Sequence, residues 1–305
     1  MINKLREQMR TYFVGKDEVV DNILICLLAG GHVLLEDVPG VGKTTLARTL
    51  SKAIECDFGR IQFTPDTLPS DVVGTEIYNM KTSEFEVREG AIMHQIILAD
   101  EINRTSPKTQ SSLLEAMAEG QVTVGGKVCE LPKPFMVIAT QNPVEFTGTY
   151  LLPEAQMDRF MMCLSIGYPA VDEEMRLIKN VLAGKTVDKV ESVCKADDIS
   201  KMKEEVLGIK VSDDIIKYIQ EIVTLTRQES NFVLGASPRA AISITRAAQA
   251  RAYLNERDFV KPDDVKKVVT PCLHHRLTLT SEAKIRKENL DKILEALVLK
   301  AKVPM

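Results

Sequence analysis

No stretch of this sequence stays apolar for the ~18–20 residues that a membrane-crossing helix needs. Its start, MINKLREQMRTYFVGKDEVV, carries charges throughout and has no apolar centre of the kind a signal peptide requires. Paired cysteines are also missing. Cys26, Cys56, Cys129, Cys163, Cys194 and Cys272 are scattered without a CxxC pair, which favours reduced, buried thiols over a disulfide framework or a zinc site. The four histidines, His32, His94, His274 and His275, show no metal-ligand spacing. There is no internal repeat, no low-complexity tract and no basic excess. A net charge of −4 weighs against a broad nucleic-acid surface. These absences point to a cytoplasmic globular protein with no membrane insertion, and they disfavour nucleic acid as a partner.

What is present is ordinary in amount and informative in arrangement. The chain is 45% hydrophobic and 27% charged, and its 305 residues suffice for two domains, each with a core of its own. The first half alternates strand and helix signals: HVLLEDV (32–38), KTTLARTLSKAI (43–54), RIQFT (60–64), QIILAD (95–100), SPKTQSSLLEAMAEG (106–120) and FMVIAT (135–140). Buried strands alternating with helices predict a mostly parallel sheet covered on both faces. Two stretches break the rhythm. Residues 66–90 are polar and alternating around KTS, and QVTVGGKVCEL (121–131) reads strand, Gly-Gly, strand, so both predict hairpins. Beyond about residue 168 the strand signals fade and helical segments follow, several opening with Ser, Asp or Pro. The expected organisation is an α/β core over 1–168 and a helical domain over 169–305.

Three strand ends carry candidate chemistry. In LLEDVPGVGKTTLA (34–47), Gly40 and Gly42 allow a tight turn whose amides face phosphate oxygens. Lys43 can reach the β/γ oxygens, and Thr44 can offer its hydroxyl to Mg²⁺. The pattern departs from G-x-x-x-x-G-K-[ST] at its first position, where Asp37 stands. Since Gly40 and Gly42 supply the turn, Asp37 reads as a tolerated departure. IILADE (96–101) ends a strand in two carboxylates, Asp100 suited to the metal shell and Glu101 to polarising an attacking water. VIATQNP (137–143) puts Gln141 and Asn142 at a third strand end, where either amide could orient that water, although Asn-Pro is also a common turn.

The P-loop, LADEINRTSP, ATQNPVEFTGTYLLPEAQMDRF and GASPRA, in that order and spacing, resemble the MoxR family of AAA+ ATPases along nearly the whole chain. The resemblance implies an AAA+ P-loop core with hairpin inserts and a smaller all-α lid. It implies ATP and Mg²⁺ as cofactors, with Pro39, Gly40, Val41, Gly42, Lys43, Thr44 and Thr45 at the phosphates and Thr44 and Asp100 at the metal. Val14 and Gly15, in FVGKDEVVDNIL, match the lead-in flanking the adenine. Glu101 and Asn142 take catalytic roles, as do Arg159, resembling an arginine finger that reaches a neighbouring subunit, and Arg239, resembling the lid's sensor-2 arginine. Arg104 is a weaker interface candidate. The hairpins are expected to face substrate near a ring axis.

The function so implied is a ring-forming ATPase, expected to be a hexamer, that acts as a chaperone in maturation or metal-cofactor insertion of client proteins. A partner with a von Willebrand factor A domain is expected. Two alternatives stay open. A nucleic-acid motor is one, because helicases and magnesium chelatase subunits share this branch, and a nucleotide-dependent switch with little turnover is the other.

Overall fold

The computed structural model describes residues 1–142 and 149–304. The chain opens with α1 (Ile2–Tyr12) and α2 (Asp17–Leu28), then runs through β1 (Val33–Glu36), α3 (Lys43–Ala53), β2 (Phe58–Gln62), the short α4 (Pro69–Val73) and the pair β3 (Gly74–Asn79) and β4 (Glu84–Glu89). There follow β5 (Ile96–Asp100), α5 (Pro107–Glu119), the pair β6 (Gln121–Val124) and β7 (Lys127–Glu130), β8 (Met136–Gln141), α6 (Glu154–Met157) and β9 (Met162–Leu164). The remainder comprises α7 (Val171–Leu182), α8 (Ala196–Leu207), α9 (Asp213–Gln228), β10 (Phe232–Leu234), α10 (Pro238–Leu254), α11 (Pro262–Leu273), β11 (Thr278–Leu279), α12 (Ser281–Ile285) and α13 (Leu290–Lys300).

A five-stranded sheet, ordered β2-β5-β8-β1-β9, forms the frame. The β2–β5, β5–β8 and β1–β8 pairs are parallel. Val33–Leu35, Ile96–Ala99 and Met136–Thr140 are buried throughout, because a parallel sheet has helices on both faces and no strand face left for water. The register aligns Glu36 with Gln141 and Gln62 with Asp100, so the carboxyl ends of β1, β2, β5 and β8 emerge at one edge. Helix α5 begins and ends where its sequence directs. The Ser106 hydroxyl accepts the Thr109 amide at 3.3 Å, Pro107 occupies the first turn, and Gly120 closes the helix in a left-handed conformation. Both expected hairpins form, β3 with β4 and β6 with β7, each antiparallel.

The chain packs into two compact units, and no single cut near residue 168 separates them. The first comprises Met1–Asp21, His32–Arg159 and Leu164–Ser200, and the second Asn22–Gly31, Phe160–Cys163 and Lys201–Met305. Part of the reason lies in the second unit, where Arg276 is buried. Its guanidinium donates to the carbonyls of Phe160 (2.8 Å), Met161 (3.2 Å) and Cys272 and to the Ser243 hydroxyl (3.2 Å), while His275 Nε2 lies 3.0 Å from the Phe160 carbonyl. Buried polar groups must be matched, and this set of bonds binds Phe160–Met161 to the helical unit.

The expectation that strands end near residue 168 needs correction. β10 and β11 pair antiparallel within the second unit. At three and two residues they are too short to show alternation, so no periodic signal precedes them.

Candidate functional site

The P-loop region begins where β1 ends. Gly40 and Gly42 adopt φ of +86° and +96°, a region that only glycine enters cheaply. Gly42 caps α3, whose first backbone bond runs from the Leu46 amide to the Gly42 carbonyl at 2.9 Å. The amides of Lys43, Thr44 and Thr45 therefore precede the helical ladder and point out of its amino end, a natural cradle for anions. Lys43 folds back, its Nζ donating to the Asp37 carbonyl at 2.7 Å. Burial pushes the Lys43 pKa below the ordinary lysine value, against the pull of Asp37, Asp100 and Glu101. A partly desolvated ammonium within the field of three carboxylates is well placed to exchange its carbonyl partner for a phosphate.

Asp37 is more than a tolerated departure. It is buried, its backbone lies outside the left-handed region that would require glycine, and its carboxylate is filled with donors. The Ile166 amide donates to it at 2.6 Å, and the Gly167 amide and Ser165 hydroxyl at 3.0 Å each. A pocket of 170 Å³ lies alongside, lined by Phe13, Val14 and Lys16 from the lead-in, Gly40, Val41, Gly42 and Thr45 from the P-loop, and Ile166 and Gly167. Val14 and most of the P-loop residues singled out in the sequence thus share one cavity. Gly15 sits beside it, against the Glu173 side chain. Pro39 is exposed in the loop ahead of Gly40.

The end of β5 carries the acidic pair. Asp100 accepts the Thr140 hydroxyl at 2.7 Å and the Arg60 guanidinium at 2.6 Å. Glu101 follows with φ +58° and ψ +49°, a left-handed conformation that costs a side-chain-bearing residue about 1–3 kcal/mol. It is held there by its amide on the Thr140 hydroxyl (2.9 Å), by Gln62 Nε2 on its carboxylate (2.9 Å) and by Arg104 Nε at 3.3 Å. Thr140, Gln62 and Arg60 are site residues that sequence reasoning missed. Thr140 stands directly before Gln141 in ATQN, but its place between the Asp100 carboxylate and the Glu101 amide exists only once β5 and β8 lie side by side.

Of the two amides, Gln141 donates to the Glu36 carboxylate across the β8–β1 pair, and Asn142 follows the strand end, half-buried. The remainder of that motif, residues 143–148, lies outside the described residues. Arg159 is exposed and donates to the Leu114 carbonyl of α5 at 2.6 Å. It is not among the residues lining the pocket of its own chain. Arg239 occupies the first turn of α10, exposed, in the second unit. His275 is buried, and burial depresses its pKa to about 3. His274 lies 2.7 Å from Asp291. Among the described residues no cluster of three His, Cys, Asp or Glu side chains could hold a metal ion, and no helix is long and apolar enough to cross a membrane.

Comparison with known proteins gives the family. Residues 32–162 match the ATPase family associated with various cellular activities (AAA), and residues 224–297 match the AAA lid domain. The chain is 40% identical to Chaperone MoxR1 of Mycobacterium tuberculosis over 285 residues, covering 90% of this chain and 75% of that one. The chain belongs to the MoxR family of AAA+ ATPases. It is also 50% identical over its whole length to YeaC of Bacillus subtilis, an uncharacterised protein, covering 95% of that chain. Its fold superimposes on a crystal structure from Cytophaga hutchinsonii, described by inference as an ATPase, with a TM-score of 0.92 and 40% identity over 100% of this chain and 95% of that one. This MoxR-type chain is a nucleotide-binding ATPase with an AAA+ parallel-sheet core and a helical lid region.

Proposed function

We propose that this MoxR-type protein hydrolyses Mg·ATP as a homo-oligomeric ring, with a hexamer expected, and uses the cycle to remodel client proteins. The observation that carries the reading is the convergence, at one edge of the sheet, of the P-loop amides and Lys43 with Asp100, Thr140 and Glu101. Phosphoryl transfer needs charge and positioning rather than covalent help from the protein. Lys43 and the amides of 40–45 hold the phosphates, and Glu101 accepts a proton from, or aligns, the attacking water. Asn142, at the end of β8, is the amide that orients this water. Thr44 and Asp100 offer the hard oxygen donors that suit Mg²⁺, which when bound neutralises phosphate charge. Val14 and Gly15 flank the base.

Arg159 fits a role in trans. It stands exposed and outside its own pocket, and its bond to the Leu114 carbonyl holds it on α5. A planar, permanently charged guanidinium suits a γ-phosphate in transition, here the neighbour's. Arg239 in the lid region serves as the second phosphate-sensing arginine. The exposed β3–β4 hairpin suits client contact. Its Tyr78 and Phe85 rings stack edge-to-face at 5.2 Å, and Met80 stands 88% exposed at the tip. A cytoplasmic setting, a von Willebrand factor A domain partner and a role in maturation or metal-cofactor insertion complete the proposal.

The test separates binding from chemistry. Glu101→Gln is expected to keep Mg·ATP affinity within a few-fold and lose nearly all turnover, whereas Lys43→Ala loses affinity itself. Parental hydrolysis by Glu101→Gln would refute the assignment of Glu101.

A further inference from the structure

The first position of a P-loop is where the chain turns away from its strand, and here a buried carboxylate occupies it. Asp37 makes contacts in three directions. Its amide donates to the Gln141 carbonyl at 3.2 Å, its carbonyl holds Lys43 Nζ at 2.7 Å, and its carboxylate receives three donors from Ser165, Ile166 and Gly167. The segment 165–167 runs on to Tyr168, whose carbonyl accepts Lys16 Nζ at 3.0 Å, and to Glu173, whose side chain lies against Gly15 and accepts the Ala170 amide at 2.8 Å. Residues 165–173 therefore form a strap. One end is fastened to the phosphate-binding loop through Asp37, and the other to the lead-in at residues 15–16. Between the two fastenings, Ile166, Gly167 and Pro169 wall the 170 Å³ pocket opposite Phe13 and Val14.

We infer that Asp37 is a positioning residue for the nucleotide: it sets the distance between the phosphate end and the base end of the cleft. This rests on the ATPase site proposed above. A buried carboxylate without partners is costly, and amide and hydroxyl donors make charge-assisted bonds to it that are stronger than neutral ones. Three such donors come from consecutive residues, so the carboxylate fixes the strap's direction as well as its place. A glycine at position 37 would leave the P-loop turn intact, because Gly40 and Gly42 make it, yet would leave the Ile166 and Gly167 amides without their acceptor. The strap would then sample other positions, and only part of the population would offer a base pocket in register with the phosphate loop. Apparent affinity falls by that fraction while the chemistry of bound molecules is kept.

The experiment compares the parent with Asp37→Gly and Asp37→Asn, using steady-state ATP hydrolysis and inhibition by inorganic tripolyphosphate, which occupies only the phosphate end. Asp37→Gly should raise KM for ATP by about tenfold, with kcat within about threefold and tripolyphosphate inhibition unchanged. Asp37→Asn should fall between, since its carbonyl oxygen keeps an acceptor while its NH₂ opposes a backbone amide. A parental KM in Asp37→Gly overturns the inference. So does an equal loss of ATP and tripolyphosphate binding, which would place the effect in the P-loop alone. If Asp37→Gly does not fold, Asp37→Asn carries the same two comparisons, and an Asn variant with parental values overturns the inference equally. A parent that hydrolyses no ATP would instead count against the hydrolysis reading proposed above, a failure distinct from that of the Asp37 inference.

Discussion

Thr140 shows how much a single hydroxyl can organise. It donates to the Asp100 carboxylate at 2.7 Å and accepts the Glu101 backbone amide at 2.9 Å, so one oxygen fixes the Asp100 side chain and the Glu101 main chain. Thr140→Val keeps the shape and removes both bonds. We expect kcat to fall by about tenfold or more with ATP affinity within a few-fold, because a buried bond to a charged group contributes about 1.5–3 kcal/mol. Single-turnover and binding measurements check it. His275 makes a second prediction at this scale. Its pKa is held near 3, first by burial and then by Arg276, below the ~6.5 of an unfolded histidine. Between those values the unfolded chain takes up a proton that the folded chain refuses, so stability is full above about pH 6.5 and declines as pH falls toward 3. His275→Gln keeps a donor near the Phe160 carbonyl and cannot titrate. Urea midpoints measured from pH 7 to pH 5 should drop less in this variant than in the parent. Equal drops would show that His275 does not contribute to the pH dependence.

Among the elements, the β3–β4 hairpin is the one most loosely specified by its own sequence and most tightly specified at its root. Its strands are largely exposed, and no hydrophobic face fixes their register. At its base, Gly74 has φ +100°, and a Cβ there would lie 2.6 Å from the Arg88 carbonyl and 2.8 Å from the Gly90 amide. Both neighbours are backbone, so neither can swing aside. Gly74→Ala should open the root, with faster amide exchange over residues 74–89 and basal ATP hydrolysis within about twofold. Unchanged exchange there would show that the root tolerates the methyl. Helix α5 is the contrast. Ser106, Pro107 and Gly120 punctuate it from its own sequence, and the predicted bounds hold to within a residue.

For the whole molecule, the exposed prediction is assembly. If Arg159 completes a neighbour's site, specific activity should rise with protein concentration. Arg159→Ala should bind ATP nearly normally and hydrolyse it poorly. Mixing Arg159→Ala with Lys43→Ala supplies an intact P-loop from one and an intact finger from the other, so mixed rings should recover activity that neither shows alone. Subunit exchange must first be demonstrated by fluorescence. Exchange without recovery, or full activity of a monomer at high dilution, would remove the ring mechanism.

The family, the alternation of buried strands and helices, and the positions of the glycine-rich turn, Lys43 and the Asp100–Glu101 pair were all legible in the sequence. The reason is that these features are local: a run of apolar residues, a capping serine, or a glycine at a positive φ acts within a few residues of itself. Tertiary structure decided what depends on separate segments meeting. Thr140 bridges the Asp100 carboxylate and the Glu101 amide because β8 lies beside β5. Asp37 stops being a mismatch once Ser165–Gly167, nearly 130 residues away, delivers three donors to it. The units interleave rather than divide at one residue, with Arg276 binding carbonyls of a strand region more than a hundred residues earlier. Hydrogen bonds between distant segments leave no periodicity in the chain, and a buried polar side chain looks, in sequence, like an exposed one.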